Sequence, residues 1–436
     1  MSAMRFKMLV VFCAVLECKD TANLQNIKVS FVNIATSTYL CTLYVIIMKR
    51  FYIFILGCLF SLSLFSANPK FSVLTCSPGN EAYSLYGHTG LRYFDEENDI
   101  DVVFNYGYFD FDSPNFIWRF ILGETDYMVG AVDYDVFCRG YINRGSLING
   151  DYIKLTPEQE NRLFALLREN CRPENRVYRY NYFYNNCTTK IRDKIEEVTG
   201  ALEYDSGASD ATLRDALNTM LSGHPWYAFG INLLLGSDID NPTTARELQF
   251  IPANYDKDLD NCYIVDANGQ KRALSDEKYV VIPETDGVVA GHSNLTPFNV
   301  ALLLLVATFI VMSCEVRKKR TFWGFDVLLM TLQGLSGCLL LFMALFSQHP
   351  AVGNNWLLLL FNPLALVLMP VYVCRIRKHK RLTVAWVQVA MALLFFGSAI
   401  LQLQVYPLPI YFCAMALFVR SLFLIYKENI CELSRF

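Results

Sequence analysis

The last third of the chain consists of long apolar stretches separated by short polar segments. The stretches cover residues 297–314, 323–346, 356–374, 384–404 and 408–426. Each approaches or exceeds the roughly 18–20 residues that an α-helix needs to cross a bilayer. The pattern therefore predicts an all-α bundle of about five transmembrane helices. Residues 68–296 are mixed, polar and aromatic, and they predict a separate domain outside the bilayer.

Two basic clusters predict how the chain is oriented in the membrane. Arginine and lysine are concentrated at 315–320 and 375–381. The positive-inside rule places both clusters in the cytoplasm, so the first span runs inward and residues 68–296 lie outside. We therefore predict a multi-pass protein of the cytoplasmic (inner) membrane with a periplasmic domain. The net charge of −3 provides no broad basic field, so nucleic acid is not a predicted partner.

The sequence after Met48 is typical of a secretory signal peptide, which supports this orientation independently. Met48 is followed by Lys-Arg, an apolar run and the small residues Ser66-Ala67. We assign 48–67 to the signal peptide, 68–296 to the catalytic domain and 297–436 to the membrane domain. Residues 1–47 are interpreted as upstream sequence from a mis-annotated start. The alternative is a true extension with an uncleaved anchor.

The cysteines predict a free thiol rather than a metal site. No CxxC pair and no Cys/His cluster with metal-ligand spacing occurs, so neither a metal nor a cofactor is predicted. An odd number of cysteines in an exported domain leaves at least one thiol free if pairing is intramolecular. We predict that Cys187 is the free thiol and leave the pairing of the other four open. The five cysteines of the domain are Cys76, Cys138, Cys171, Cys187 and Cys262.

Cys187 is predicted to begin a helix. The aromatic segment 177–184 alternates as a strand does, and Asn185-Asn186 separates it from Cys187. Cys187, Ile191, Ile195 and Val198 then share one helical face. A thiol at a helix N-terminus has a lowered pKa, and the backbone amides there can bind an oxyanion. The alternative is a buried structural cysteine or one half of a disulfide.

A histidine that can act as the base lies in a predicted β-hairpin. His88 begins one strand, 101–111 forms the next, and Glu97-Asn98 is the predicted two-residue loop. In that register His88 faces Gly107, and Asn105 lies diagonally beside it on the same face. Asn105 is therefore the predicted third residue, which orients the imidazole. A slip of one residue would bring Tyr106 or Asp110 there instead.

Cys76 is the rival nucleophile. It precedes a Pro-Gly turn and does not begin a helix, which favours a structural role.

Several polar residues lie at the predicted outer edge of the membrane domain. They are His349, Asn354, Asn355, Trp356 and Asn362. One interpretation is helix capping and interfacial anchoring, which such residues commonly serve. The other is contact with a cavity or partner, because polar groups at membrane depth are costly.

Four strings carry a resemblance to a known family. They are Leu74-Thr-Cys-Ser-Pro-Gly79, Tyr86-Gly-His-Thr-Gly-Leu-Arg92, Phe104-Asn-Tyr-Gly-Tyr-Phe-Asp-Phe111 and Asn185-Asn-Cys-Thr-Thr189. A histidine strand followed about a hundred residues later by Asn-Cys resembles the circularly permuted papain-like (NlpC/LRAT-type) fold. Together with the five spans and His349-Pro…Asn362-Pro-Leu, the strings resemble the Bacteroides-type lipoprotein N-acyltransferase (Lnb) family over about 68–426. The predicted fold class is thus α+β, a permuted papain-like domain followed by the membrane bundle.

The resemblance implies acyl transfer through a thioester. Cys187, activated by His88, would take an acyl chain from a membrane phospholipid and pass it to the α-amino group of a diacylated lipoprotein. Arg92 and Arg144 are candidates for the phospholipid phosphate, although exposed arginines are commonly only solvated. The predicted substrate-binding residues are Tyr86, Arg92, Asn186, His349, Asn355 and Asn362.

Two other functions are compatible with the sequence. One is a membrane-tethered peptidase or amidase that acts on cell-wall peptides with the same Cys–His chemistry. The other is a non-catalytic envelope assembly factor, which would not need the Cys187 thiol.

Overall fold

The computed structural model of the protein describes nine segments of the chain. They are 42–53, 70–81, 83–110, 112–200, 202–204, 210–266, 268–283, 295–378 and 380–433. The chain divides into two compact units, Met1–Asn68 and Pro69–Phe436. In the first unit, residues 42–53 are helical. The predicted signal peptide 48–67 and the predicted extension 1–47 lie for the most part outside the described residues.

An antiparallel sheet forms the centre of the extramembrane part of the second unit. Its strand order is β10-β5-β1-β2-β3-β4-β6, and β7, β8 and β9 form a second, smaller sheet. The alternating aromatic and β-branched residues of these segments favour strands. The strands are β1 (Phe71–Cys76), β2 (His88–Asp95), β3 (Ile100–Tyr108), β4 (Asp126–Asp133), β5 (Ile148–Ile153), β6 (Val177–Arg179), β7 (Leu202–Tyr204), β8 (Cys262–Val265), β9 (Lys271–Ala273) and β10 (Ser275–Ile282).

The β2–β3 hairpin has the predicted register but a longer connection. Leu91 pairs with Phe104 and Asp95 with Ile100, as predicted. The predicted two-residue loop at Glu97-Asn98 is wrong: a 3-10 turn over Glu96–Asn98 is followed by Asp99 in the left-handed region at φ 52°. The Asn98 amide donates to the Asp95 carboxylate at 3.0 Å, which stabilises this wider turn.

Helices cover both faces of the main sheet. The face that carries Leu91 and Phe104 packs against Ile191 and Ile195 of α4, and all four side chains are buried. On the other face, Phe137 of α2 packs with β1, β3 and β5. The helices outside the membrane part are α1 (Phe116–Leu122), α2 (Tyr134–Ile142), α3 (Pro157–Asn170), α4 (Cys187–Thr199), α5 (Leu213–Met220), α6 (Pro225–Leu234), α7 (Ala245–Leu248) and α8 (Pro252–Leu259).

Five membrane spans follow among the described residues, as the hydropathy predicts. By length and composition these are Pro297–Lys318, Trp323–Phe346, Trp356–Arg377, Thr383–Ile400 and Leu408–Asn429. The third span is interrupted, because a 3-10 turn at Trp356–Leu359 and Pro363 precede its α-helix. The helices are α9 (Pro297–Lys318), α10 (Trp323–Phe346), α11 (Leu364–Arg377), α12 (Thr383–Ile400) and α13 (Leu408–Leu433). The sheet-containing domain followed by apolar helices confirms the predicted α+β architecture, while the circular permutation stays a prediction.

A buried ionic cluster joins the end of α9, the start of α10 and the middle of α13. Arg420 of α13 donates to Asp326 of α10 at 2.6 and 2.8 Å and to Glu315 of α9 at 2.7 Å. The Tyr372 hydroxyl donates to Asp326 at 2.5 Å, and Lys427 lies 3.3 Å from Glu315. The two carboxylates and two cations balance, which is what a low-dielectric environment requires.

Candidate active site

Cys187 is held at the first position of α4 by the residue before it. The Asn186 side chain accepts hydrogen bonds from the backbone N–H groups of Thr188 and Thr189, at 3.0 Å each. Its amide donates to the carbonyls of Tyr182 at 3.0 Å and Phe250 at 2.7 Å. This capping arrangement fixes the direction in which the helix begins, and thereby the position of the sulfur.

The cap leaves one helix-start amide available. Asn186 occupies the N–H groups of Thr188 and Thr189, so the predicted oxyanion site at the helix start is reduced to the N–H of Cys187. Among the described residues, no group accepts a hydrogen bond from the N–H of Cys187. A carbonyl oxygen bound near the sulfur could therefore use this donor.

His88 begins β2 directly after a glycine that the geometry requires. Gly87 has a φ of 79°, and a Cβ there would lie 2.6 Å from the Cys76 carbonyl oxygen. This close turn brings the chain into β2, where His88 pairs across the strands with Cys76. A side chain at position 87 would be strained and would displace His88 from the start of the strand.

The imidazole of His88 connects the thiol with an asparagine. Its Nε2 lies 2.6 Å from the Oδ1 of Asn105, as the predicted hairpin register requires. The Cys187 thiolate and the His88 imidazolium each act on the pKa of the other, so the two side chains are neighbours. Because Nε2 is engaged by Asn105, Nδ1 is the ring nitrogen that remains for the sulfur. The structure thus brings the three predicted catalytic residues together in the order Cys187, His88, Asn105.

The electrostatics of the pair favour a thiolate beside an imidazolium. Burial alone raises the pKa of Cys187, but the charge and hydrogen bond of His88 outweigh it and bring the pKa down to about 7. The backbone N–H of Thr89 and the Thr188 hydroxyl act in the same direction. Burial lowers the pKa of His88, and the Cys187 thiolate and Asn105 together raise it above its ordinary value. Each charge therefore stabilises the other.

Tyrosines surround the pair. The ring of Tyr141 lies parallel to the imidazole of His88 at 6.4 Å. Burial and the nearby Cys187 thiolate both raise the pKa of Tyr178 and Tyr180, so these hydroxyls stay neutral. Their position beside the site was not predicted from the sequence. The alternating segment 177–184 predicted a strand there without indicating which of its rings would face the sulfur.

Cys76 lies close to the pair but is unsuited to attack. Its side chain is 1% exposed, and burial raises the pKa of its thiol far above the ordinary value. The Cys187 thiolate raises that pKa further. A buried thiol that stays protonated is a poor nucleophile. The two cysteines therefore differ in the property that nucleophilic catalysis needs.

The predicted substrate-binding residues of the outer domain have different surroundings. Tyr86 lies near the site, and its ring contacts that of Tyr182 at 4.7 Å between centroids. Arg92 forms two hydrogen bonds of 2.7 Å with Asp101 and stacks over Tyr134 at 3.6 Å. The Asn186 amide is fully engaged, because its oxygen caps α4 and its NH2 group donates to the Tyr182 and Phe250 carbonyls. Substrate contact by these three residues stays a prediction.

The predicted residues of the membrane edge join parts of the fold. His349 Nε2 donates to the Phe120 carbonyl at 2.7 Å. Asn355 donates to the Leu233 carbonyl at 2.9 Å and caps the 3-10 turn that follows it. The Asn362 amide contacts Met391 at 3.0 Å, and its oxygen accepts from the Leu364 N–H. Their surroundings fit the capping interpretation, and their substrate role also stays a prediction.

The described residues contain no group of three or more His, Cys, Asp or Glu side chains that could hold a metal ion. The nine cysteines whose side chains the structure describes are all free thiols, including Cys187.

Comparison with known protein families agrees with this architecture. Residues 65–219 match the Lnb N-terminal periplasmic domain, which includes Cys76, His88, Asn105 and Cys187. Residues 290–429 match the Lnb transmembrane domain, which includes all five spans. No curated protein and no solved structure matches the chain. The two matches lie in the expected order along one chain, and this multi-pass membrane protein with a periplasmic domain belongs to the Lnb family.

Proposed function

We propose that the protein is a cysteine-dependent lipoprotein N-acyltransferase of the cytoplasmic (inner) membrane. It moves an acyl chain from a phospholipid, through a thioester on Cys187, to the α-amino group of a diacylglyceryl-cysteine lipoprotein. The observation that carries the proposal is the Cys187–His88 pair, with a thiol pKa of about 7, in a chain of the Lnb family. Family membership supports the reaction class, and the pair supplies the chemistry.

In the first half-reaction the Cys187 thiolate attacks the ester carbonyl of the phospholipid. A carbon–sulfur bond forms, and the carbon–oxygen bond to the glycerol breaks. The His88 imidazolium gives its Nδ1 proton to the leaving alkoxide, which departs as the hydroxyl of a lysophospholipid. Asn105 holds the ring through Nε2, so that Nδ1 continues to face the sulfur and the leaving oxygen.

The tetrahedral intermediates carry a negative oxygen that needs a donor. The Cys187 backbone N–H lies at the start of α4 and is left free by the Asn186 cap, so it is our proposed donor. The positive end of the helix macrodipole acts on the same oxygen.

In the second half-reaction the lipoprotein amine attacks the thioester. A carbon–nitrogen bond forms, the carbon–sulfur bond breaks, and neutral His88 takes the proton that the amine loses. The thiolate returns beside an imidazolium, which is the charge pattern of the resting site. One base therefore serves both halves of the cycle.

Close contacts between the catalytic and membrane parts favour this function over a tethered peptidase. Gln404 donates to the Leu235 carbonyl, Asn355 to the Leu233 carbonyl, and Ser347 to the Ile121 carbonyl, at 2.9 to 3.1 Å. A simple anchor would not require such contacts. They fit an enzyme whose two substrates both lie in the bilayer.

The test is mass spectrometry of lipoproteins from cells that lack the protein and carry one of three genes. Wild type should restore a third acyl chain on the N-terminal cysteine. Cys187→Ala should restore none, because removal of the nucleophile leaves only background turnover. Cys76→Ala is the matched control and should restore the third chain. Unchanged acylation in cells without the protein, or full activity of Cys187→Ala, would refute the proposal.

A further inference from the structure

Helix α1 presents apolar side chains to the surroundings although it lies outside the five spans. Ile117 is 75% exposed and Trp118 is 54% exposed, and Phe120 is also largely uncovered. Because the helix has only seven residues, these three apolar side chains form much of its surface. Large exposed apolar patches mark sites of contact with partners or membranes.

The position of α1 beside a membrane helix indicates contact with lipid. The Trp118 ring packs on Phe342 of α10 with 5.3 Å between centroids. Phe342 lies one helical turn, about 6 Å, before the end of α10 at Phe346. Interfacial helices enter the headgroup region to about 5–10 Å, and tryptophan is enriched at that depth. The apolar surface of α1 is thus continuous with the lipid-facing surface of α10.

Hydrogen bonds hold α1 at this depth. The loop after α10 donates to three consecutive carbonyls at the end of α1, from Ser347 to Ile121, from the Gln348 N–H to Leu122 and from His349 to Phe120. Gly123, which ends α1, has a φ of 75°, and a Cβ there would lie 2.6 Å from the His349 nitrogen. The two segments therefore meet backbone to backbone, which connects α1 firmly to the end of α10.

A pocket of about 300 Å³ lies behind α1. Its apolar lining comes from α1, the segment before it, and the strands β4 and β6: Phe109, Phe116, Phe120, Tyr127, Met128 and Val177. Arg119 and Asp126, which also line it, form an ion pair of 2.7 Å. Half of the lining is polar or charged, which makes the pocket amphipathic: Asp110, Ser113, Arg119, Glu124, Thr125 and Asp126. Its volume lies at the lower end of the range for small-ligand sites, about 300–1,000 Å³.

A stacked pair of aromatic rings connects the wall of the pocket to the tyrosines around the catalytic thiol. Tyr127 lines the pocket and stacks on Tyr180 with 4.3 Å between centroids. Tyr180 in turn lies close enough to Cys187 for the thiolate to act on its hydroxyl. The pocket thus has the lipid-exposed helix α1 on one side and the active site on the other.

We propose that this pocket binds one acyl chain of a phospholipid drawn from the outer leaflet. This inference rests on the proposed function: the pocket holds the acyl chain of the donor phospholipid so that the ester of that chain reaches Cys187. The occupant is identified by the continuity of α1 with the membrane surface and by the amphipathic lining of the pocket.

The experiment is photolabelling of the full chain in nanodiscs by a phospholipid with a diazirine near the end of one acyl chain. Labelled positions are mapped by mass spectrometry. In wild type we expect label on Met128 inside the pocket as well as on Ile117 outside it. Val177→Trp should fill the pocket and lower the label on Met128 at least fivefold, while the label on Ile117 persists. Because Val177 is 53% exposed on an edge strand, the larger ring can be accommodated without unfolding the sheet.

Val280→Trp is the matched control, since Val280 is 63% exposed on β10 at the opposite edge of the same sheet. It should leave both labels unchanged. Label that reaches Ile117 and the membrane helices but not Met128, or a Met128 label that Val177→Trp leaves intact, would overturn the proposal. Label on Met128 only from a diazirine-bearing lipopeptide would assign the pocket to the acceptor and also overturn it. Photolabelling needs no turnover, so these outcomes are independent of whether acyl transfer occurs.

Discussion

Two clusters of buried polar side chains in this protein are built in opposite ways. In the membrane cluster, the Arg420 guanidinium binds Asp326 and Glu315 through three hydrogen bonds of 2.6 to 2.8 Å. In the proposed active site, Cys187 and His88 have charges that depend on each other. Asn105, Thr89 and Thr188, which hydrogen-bond to them, are neutral, and the Arg144 charge opposes that of His88 without pairing with it. The first cluster contains permanent charges that compensate one another. The second contains charges that can be discharged by moving one proton.

The difference follows from what each cluster has to do. An uncompensated charge between membrane helices costs several kcal/mol, so a structural cluster there must be complete. A catalytic pair must instead change its charge state during the reaction, which a fully paired site would resist. We therefore expect substitutions in the membrane cluster to affect stability and substitutions in the active site to affect reactivity.

The largest effect is expected for Arg420→Met, which leaves two buried carboxylates without their shared cation. Breaking a buried ion pair from one side costs about 3–5 kcal/mol. The free energy of unfolding in detergent micelles should fall by that amount, while the activity of each folded molecule is retained. Lys427→Met is the control, because Lys427 is partly exposed and Arg420 stays in place, so its effect should be below about 1 kcal/mol. Lost activity at unchanged stability would show that the cluster takes part in the chemistry.

The second expected effect concerns the pH at which Cys187 reacts. With its pKa at about 7, the thiol should be alkylated by iodoacetamide with a half-maximal rate near pH 7. His88→Ala removes the cation that opposes burial, so the midpoint should rise above the ordinary thiol value of 9. At pH 7 the thiolate fraction, and with it the alkylation rate, should fall by at least about 50-fold. The rate is followed by mass spectrometry of the Cys187 peptide in folded protein. An unshifted midpoint would show that His88 does not lower the pKa of the Cys187 thiol.

The sequence predicted the parts of the site that depend on local geometry. An antiparallel hairpin allows few registers, and the one that buries Leu91 and Phe104 also places Asn105 beside His88. The actual connection is longer than predicted, yet the register is unchanged, because the alternating pattern of the strands determines it. Helical periodicity likewise predicted the buried face of α4, where Ile191 and Ile195 are fully buried.

The parts that the sequence did not predict depend on contacts between distant segments. Asn186 donates to the Phe250 carbonyl, 64 residues away, and so serves the helix cap. His349 reaches Phe120 across 229 residues and thereby connects α1 to the membrane domain. Local patterns contain no information about such partners, because they are set by how complete elements pack. The sequence shows the charges of the membrane cluster, Asp326 and Arg420 within apolar stretches and Glu315 beside one, but it does not show that they pair.

The smallest expected effect is that of Asn105→Ala, which removes the hydrogen bond to His88 but neither charge. The imidazole loses a 2.6 Å partner and some of its fixed orientation, at a cost of about 1.5 kcal/mol, or roughly tenfold in the rate of acyl transfer. The alkylation midpoint of Cys187 should rise by less than one pH unit, because the charge of His88 persists.

Asn105→Asp keeps an acceptor oxygen and should restore most of the rate. A fall in the rate of acyl transfer as large as the one that His88→Ala causes would mean that Asn105 maintains the contact between His88 and Cys187. If the activity and the alkylation midpoint are both unchanged, packing near Tyr141, and not Asn105, orients the imidazole.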